Sequence, residues 1–365
     1  MITEVKTKKE LKRFINFVKI LYKDDLHYVY PLFYVLYQEL KSEVLIKKKY
    51  KALLYLDGKD VLGRLLYTFE YNHKTDKLTC YFSFSDTVND QLVFNELFSY
   101  MEKDMIDNDV FYSEGSFRPF DPDNRRGILV KGFEDDPVVF TSYNYPYYES
   151  LFENYGFKKI HDTVSLQPEV SEENNRKLSL LSKFFTRRFN VIVSPIDLKN
   201  IESEIKDIYK ILSIATTDII YQEAPSIDLI TSVAKSLKRF LRPEIILIAR
   251  EAESLEPIGF AICLLDYNQL IKKTKGKLNI FKFMKPLKYI DRSRGMMQYV
   301  VPKYQGTGLI GYMYYLIFES FKSLGIKRFE AGTIMEENLQ SIKAFDKFGG
   351  EVKKIYRIYG KEITR

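Results

Sequence analysis

The sequence has few of the residues that build disulfide frameworks and histidine-based sites. Two of its 365 residues are Cys and three are His. Cys80 and Cys263 stand singly in apolar, strand-like runs, which excludes a disulfide framework or a Cys-x-x-Cys metal site and favours a reducing compartment. His27, His73 and His161 all lie in the first half, so the second half has no His-based metal site or Ser/His triad. We expect no metal, and we expect both cysteines to be core residues.

The sequence also lacks long apolar runs and a strong charge of one sign. No run reaches the length that spans a bilayer, and the first residues lack a signal-peptide pattern, so a soluble, cytoplasmic protein is expected. The 56 basic and 49 acidic residues give a net charge of +7, which suits an anionic ligand but does not predict a nucleic-acid partner. A chain of 365 residues exceeds the usual size of one core, so two domains are expected.

A glycine-rich turn between a strand and a helix is the most informative local pattern. An apolar, β-prone run ends at Val300 and Val301, and Pro302 halts it because proline cannot donate to a strand ladder. The glycines of the following turn are Gly306, Gly308 and Gly311. Residues 309–325 have the pattern of a helix whose free N–H groups and positive dipole end face the turn. This order of elements predicts a site for a pyrophosphate.

The predicted elements after the turn complete a recognisable order. A strand is predicted over 327–334, a helix opens near Asn338, and a last strand covers 351–363. With the turn, this order resembles the GNAT superfamily of acyl-CoA-dependent N-acyltransferases. The resemblance implies an α/β fold with a mixed sheet. It also implies transfer of an acyl group, in the first instance acetyl from acetyl-CoA, to a primary amine.

The turn matches the GNAT signature in part. That signature is Gln or Arg, two residues, Gly, one residue, and then Gly or Ala. Gln305 and Gly308 fall in place, whereas Ile310 occupies the last small position and Gly311 comes one residue late. The backbone N–H donors of the turn do not depend on these side chains. We therefore still predict an acyl-CoA site at this turn.

The two halves follow one order of elements at a spacing of roughly 200 residues, which indicates tandem domains. We predict two tandem GNAT-like domains, 1–175 and 176–365. Where the first half should carry its turn, it has no glycine and contains Asp86 and Asp90, which would repel a pyrophosphate. The first domain is therefore predicted to be degenerate and not to bind the cofactor. Over nearly its whole length the chain resembles a bacterial family of such two-domain proteins, whose substrate is not settled.

The resemblance also implies the site residues. Residues expected to contact acyl-CoA are Val300, Val301, Gln305, Gly306, Thr307, Gly308, Leu309, Gly311, Asn338 and Ser341. Candidates for the general base are Glu336, which is favoured, Glu330 and Asp266. Superfamily members often carry a Tyr as general acid where this chain has Phe345. Two alternatives stay open: Tyr356 or Tyr359 substitutes for it, or the CoA thiolate, a good leaving group, departs without a general acid.

Structural interpretations of the same residues stay open. Glu336 and Asn338 fit a helix N-terminus, and Glu330 fits a structural partner of Arg294. The basic insertion 271–292 fits a lid over an acceptor, a membrane-surface segment or a solvated flap. The loop 121–127 and the aromatic run 143–148 fit the wall of an acceptor pocket or a core.

Three functions are consistent with the sequence alone. The first is an N-acyltransferase with a small-molecule or peptide amine as its acceptor. The others are an aminoacyl or fatty-acyl transferase with tandem GNAT-like domains, and a non-catalytic or CoA-sensing binding protein, which Ile310 and Phe345 motivate.

Overall fold

The computed structural model describes residues 1–73, 75–117, 127–215, 226–277, 289–346 and 349–364. Most of the predicted loop 121–127 and the middle of the basic insertion fall outside these ranges. The strands are β1 Ile2–Glu4, β2 Lys51–Asp57, β3 Asp60–Asn72, β4 Lys77–Thr87, β5 Tyr112–Gly115, β6 Ile128–Lys131, β7 Lys158–Gln167, β8 Val191–Pro195, β9 Ile246–Glu251, β10 Pro257–Leu265, β11 Arg292–Val300, β12 Arg328–Met335 and β13 Glu351–Glu362. The predicted mixed α/β fold is confirmed.

Helices occur in both halves of the chain. They are α1 Lys8–Asn16, α2 Val18–Leu21, α3 Phe33–Leu40, α4 Gln91–Asp107, α5 Tyr148–Asn154, α6 Glu172–Arg188, α7 Ile201–Ala215, α8 Ile227–Leu237, α9 Asn268–Thr274, α10 Leu309–Leu324 and α11 Leu339–Asp346. A π-helical turn, Lys41–Ile46, follows α3. None of the helices in the described ranges has both the length and the apolarity that a membrane span requires.

The chain forms two compact units that interleave in sequence. Unit 1 contains Met1–Val164, Tyr267–Lys285 and Lys354–Arg365, and unit 2 contains Ser165–Asp266 and Pro286–Lys353. Helix α9 and most of β13 therefore belong to unit 1, although both follow residue 175. The division into sequence domains at 175 stays a prediction.

Unit 1 is built on a mixed sheet. Its strands run in the order β1, β2, β3, β4, β5, β13, β7, with β6 beside β13. Strands β4 and β5 are parallel, and β13 is antiparallel to β5. An aromatic core on α4, α5 and the sheet includes Phe82, Phe94, Phe98 and Phe152, all at most 1% exposed. Apolar residues recur at helical spacing on α4, which buries that face against the sheet.

Unit 2 repeats the same order of elements. Its strands run β12, β11, β10, β9, β8, and the last residues of β7 lie beside β12. Strands β8 to β11 are antiparallel in succession, whereas β11 and β12 are parallel and joined by α10. Two predictions about single residues are also confirmed: Cys80 and Cys263 are free thiols with no exposed surface.

Candidate active site in unit 2

Strands β11 and β12 begin side by side and their pairing then ends. The parallel register joins Arg292 to Arg328 and continues to Gly295 and Ala331. Beyond that point β11 runs on to Val300 and β12 to Met335, and the described residues show no further pairing of these two strands with each other. A bulge opposite Ile262 and Cys263 interrupts β11 at the same level. The carboxyl ends of two parallel strands thus diverge, which is where ligands bind in open α/β sheets.

The glycine-rich turn lies between the end of β11 and the start of α10. A 3₁₀ turn, Pro302–Tyr304, leads into Gly306 and Gly308, whose φ angles are +71° and +100°. An L side chain rarely adopts these values, so glycine is required at both positions. The Gln305 amide donates to the Val300 carbonyl at 3.1 Å, and the Thr307 hydroxyl donates to the Tyr304 carbonyl at 2.6 Å. These bonds fix the shape of the turn.

The turn presents backbone donors that the chain itself does not use. In the described structure, the N–H groups of Gly306, Gly308, Leu309, Ile310 and Gly311 have no acceptor, and the first amide of α10 that is bonded is that of Tyr312, to the Gly308 carbonyl. A Cβ built at Gly306 would meet nothing within 4 Å, so the space beside it is open. Free amides at a helix N-terminus next to open space fit a pyrophosphate.

Helix α4 holds the same place in unit 1, and its N-terminus differs. Asp90 caps α4, because its carboxylate accepts from the Leu92 N–H at 2.8 Å. Helix α10 has Gly308 at its N-cap and no side-chain cap. The Asp90 carboxylate at the N-terminus of α4 would repel an anion, whereas the free N–H groups at the N-terminus of α10 would attract one. This contrast supports the prediction that the first domain does not bind the cofactor.

An ion pair fastens the start of the turn to β9. Lys303 Nζ and the Tyr304 hydroxyl both donate to Glu251 Oε1, at 2.8 and 2.7 Å. These hydrogen bonds, the one from Lys303 first, lower the pKa of Glu251 to about 2. The carboxylate therefore stays ionised and keeps its donors over the whole neutral range.

Two of the three predicted bases are buried, and their carboxylates are already bonded to other side chains. Glu330, on β12, is 1% exposed and accepts from Ser165 Oγ at 2.7 Å and from Gln167 Nε2 at 3.1 Å. Asp266, directly after β10, has no exposed surface, and its Oδ2 lies 2.7 Å from Arg292 Nε. Carboxylates held by donors in this way contribute to the unit's structure and are poorly placed to take a proton from a substrate.

The third candidate base, Glu336, directly follows β12 and is partly exposed. It lies at the diverging end of β12. Asn338 caps α11, because its Oδ1 accepts from the Ser341 N–H at 3.1 Å. The interpretation of Asn338 as a helix cap is therefore confirmed.

The proposed general acids belong to unit 1. Tyr356 and Tyr359 are on β13, in the segment that belongs to unit 1, and neither has exposed surface. Phe345, at the position where a Tyr is expected, is 3% exposed and packs on Tyr314 at a ring distance of 5.2 Å. This position is filled as part of the core of unit 2.

Sequence reasoning missed Gln298. This residue lies on β11 beyond the bulge, in the diverging part of the strand. Its Oε1 is buried and has no hydrogen-bond partner among the described residues. A buried acceptor without a donor is rare and calls for a ligand or another explanation. The one available signal was a single amide side chain in an otherwise apolar run.

Comparisons with known proteins relate the whole chain to one fold. No protein-family model matches it. A bacterial ceramide synthase of Caulobacter vibrioides is 25% identical over 391 residues, covering 99% of this chain and 97% of the relative. Protein YghO of Escherichia coli is 23% identical over 370 residues, covering 98% and 94%.

A solved structure shows the same tandem arrangement. A tandem GNAT protein from the clavulanic acid biosynthesis pathway superposes with a TM-score of 0.60 at 8% identity, covering 100% of this chain and 99% of that chain. At this identity the likeness concerns the fold alone. The predicted resemblance is thereby confirmed at that level: the chain has the GNAT fold, in its tandem two-domain form.

Proposed function

We propose that the protein is an N-acyltransferase that binds acyl-CoA at the turn 305–311 and transfers its acyl group to a primary amine. The observation that carries this proposal is the set of five unused N–H groups at the glycine-rich turn. They supply donors and a positive helix end where a pyrophosphate is needed. Acyl-CoA supplies an activated thioester.

The chain's own residues have separate tasks in this proposal. The amides from Gly306 to Gly311 hold the anionic part of the donor. The diverging ends of β11 and β12 hold its extended arm, with Gln298 Oε1 as an acceptor for an N–H group. Glu336 takes the proton that the amine loses, directly or through water. Glu330 and Asp266 maintain the strands on which these groups stand.

The acceptor and acyl chain are inferred from one relative. The name of the Caulobacter relative is ceramide synthase, and a ceramide is a fatty amide of a long-chain amino alcohol. Because that relative and this chain align over nearly their full lengths, we infer a long-chain amino alcohol as acceptor and a fatty acyl-CoA as donor. Acetyl-CoA, which the superfamily resemblance implies, is the competing donor.

Titration calorimetry with acetyl-CoA and with octanoyl-CoA tests the binding site. Gly306→Glu places a carboxylate beside the free amides, and we expect it to weaken binding by about tenfold or more. Gly325→Glu is the matched control, since Gly325 ends the same helix, has a φ of +72° against +71° for Gly306, and also has nothing within 4 Å of a built Cβ. The control variant should bind as the wild type does.

Product analysis by mass spectrometry tests the transfer. Octanoyl-CoA and a long-chain 2-amino-1,3-diol should give an amide, and the corresponding diol without the amino group should give none. Binding without amide formation from any amine would favour the CoA-sensing alternative. No binding of either thioester to the folded wild type would overturn the proposal.

A further inference from the structure

Helix α6 of unit 2 has one buried face and one exposed face. Its buried side chains include Leu178 and Phe185. The Phe185 ring faces α10: it lies 5.8 Å from the Tyr312 ring, and its Cβ would lie 4.0 Å from a Cβ built at Gly308. The helix is therefore packed beside the glycine-rich turn 305–311 of the same unit.

Polar contacts fix the other end of α6 on α10. Asn175 Nδ2 donates to Glu319 Oε1, and Lys322 Nζ lies 3.1 Å from Glu172 Oε1. Together with the ring contact, these bonds hold the helix along its length. The outward face of α6 is thus presented by an element that is fixed in the fold.

The exposed face of α6 carries large apolar side chains. Leu180 is 63% exposed, Leu181 is 40% exposed and Phe184 is 61% exposed. Leu180 and Phe184 are four residues apart, so they are neighbours on the helix surface. Leu181 extends this group to the turn, because its Cδ1 would lie 3.7 Å from a Cβ built at Gly311. A contiguous exposed apolar group rimmed by charge indicates an interaction surface.

Basic residues flank the apolar pair Leu180 and Phe184 on both sides. The helical period places five exposed cations there: Arg176, Lys183 and Arg187 on one side, Lys177 and Arg188 on the other. Residues 174–188 contain no Asp or Glu. Lys177 is paired with Glu173 at 2.8 Å, whereas the three cations of the first side form no salt bridge with the described residues.

Charge and apolar surface together select the kind of partner. A second copy of this chain, docked by the same face, would bring five cations against five others, which is repulsive. Nucleic-acid phosphates would pair with the cations but offer no aliphatic surface to Leu180 and Leu181. A membrane with anionic lipids satisfies both groups, because it provides phosphates and an apolar boundary beneath them.

We propose that the exposed face of α6 binds the surface of a membrane that contains anionic lipids. Leu180 and Phe184 enter the boundary between headgroups and acyl chains, and the cations beside them contact the lipid phosphates. The helix then lies parallel to the membrane surface as part of the folded unit. The proposal concerns membrane binding alone, so it does not depend on the transfer reaction.

Co-sedimentation of the full-length protein with vesicles tests the proposal. Binding to phosphatidylcholine vesicles with about one-third phosphatidylglycerol should be at least about tenfold tighter than binding to pure phosphatidylcholine. The double variant Leu180→Ser, Phe184→Ser should bind the anionic vesicles about tenfold more weakly. Ile20→Ser, Leu92→Ser is the matched control, because these residues of unit 1 helices are 64% and 60% exposed. The control variant should bind as the wild type does.

A second set of variants tests the contribution of charge. The triple variant Arg176→Gln, Lys183→Gln, Arg187→Gln should weaken binding to the anionic vesicles by about a hundredfold. The matched control removes the same net charge from exposed positions of unit 1: Lys8→Gln, Lys9→Gln, Lys59→Gln. Its binding should stay close to that of the wild type.

Fluorescence distinguishes insertion from adsorption by charge alone. The chain contains no Trp, so Phe184→Trp introduces a single reporter. Its emission should shift to shorter wavelength when anionic vesicles are added, because the indole leaves water, whereas the emission of Leu92→Trp should not shift.

Four results would overturn the proposal. They are no binding of the wild type to anionic vesicles, equal binding to both kinds of vesicle, wild-type binding by the double variant, and unshifted emission of Phe184→Trp. A dimer of the wild type that the double variant abolishes would assign this face to a second copy and would also overturn it.

Discussion

Ser165 and Glu330, which are 165 residues apart in sequence, meet in the core of unit 2, where the serine Oγ donates to the carboxylate at 2.7 Å. Both residues are 1% exposed. A buried carboxylate depends on such donors, because burial without them is costly. This contact links the end of β7 to β12 and gives Glu330 a structural role.

Ser165→Ala should lower the free energy of unfolding by about 1.5–3 kcal/mol, the usual value for a hydrogen bond to a charged group. Urea unfolding measures the change. Ser203→Ala, at an exposed position of α7, is the control and should have little effect. An unchanged stability in Ser165→Ala would contradict the structural role of this contact.

Glu336→Gln should lower kcat for amide formation by about a hundredfold, because it removes the proposed general base. Glu337→Gln changes the neighbouring exposed residue in the same turn and serves as the control. A kcat within twofold of the wild type in Glu336→Gln would remove Glu336 from the mechanism.

Lys303→Met should raise the pKa of Glu251 from about 2 towards its ordinary value of 4.5, since it removes the largest cause of the lowering. A lowered pKa in the folded state contributes stability above pH 4.5, and this contribution is lost as the pH falls from 4.5 to 2. The variant should therefore lose less stability across that window than the wild type. An NMR titration of the Glu251 carboxyl group measures the shift, and Lys9→Met should leave it unchanged.

Gln298→Met should change stability and binding in opposite directions. It removes a buried acceptor that has no partner in the described part of the chain, so the melting temperature should rise, with a gain in stability of about 1 kcal/mol. If a ligand N–H uses that acceptor, acyl-CoA affinity should fall by roughly fivefold. Calorimetry with octanoyl-CoA measures the second effect, and an unchanged affinity would separate Gln298 from the site.

The sequence by itself determined those structural features that depend only on residues close together along the chain. Pro302 ends a strand because it cannot donate to the ladder, and Gly306 and Gly308 are needed where φ is positive, so the order strand, turn, helix was predictable. Isolated cysteines in apolar runs indicated core thiols, and Cys80 and Cys263 are buried. The order of elements predicted the GNAT fold.

Only the tertiary structure decided which polar groups are bonded and which segments pack together. Asp266 meets Arg292, and Glu330 meets Ser165, through strand pairing between separate segments of the chain, so no local pattern predicts these contacts. The amide of Gln298 became informative because its buried oxygen has no partner among the described residues, which only the folded structure reveals. The membership of helix α9 in unit 1 also could not be predicted, because its contacts are made with residues more than a hundred positions earlier.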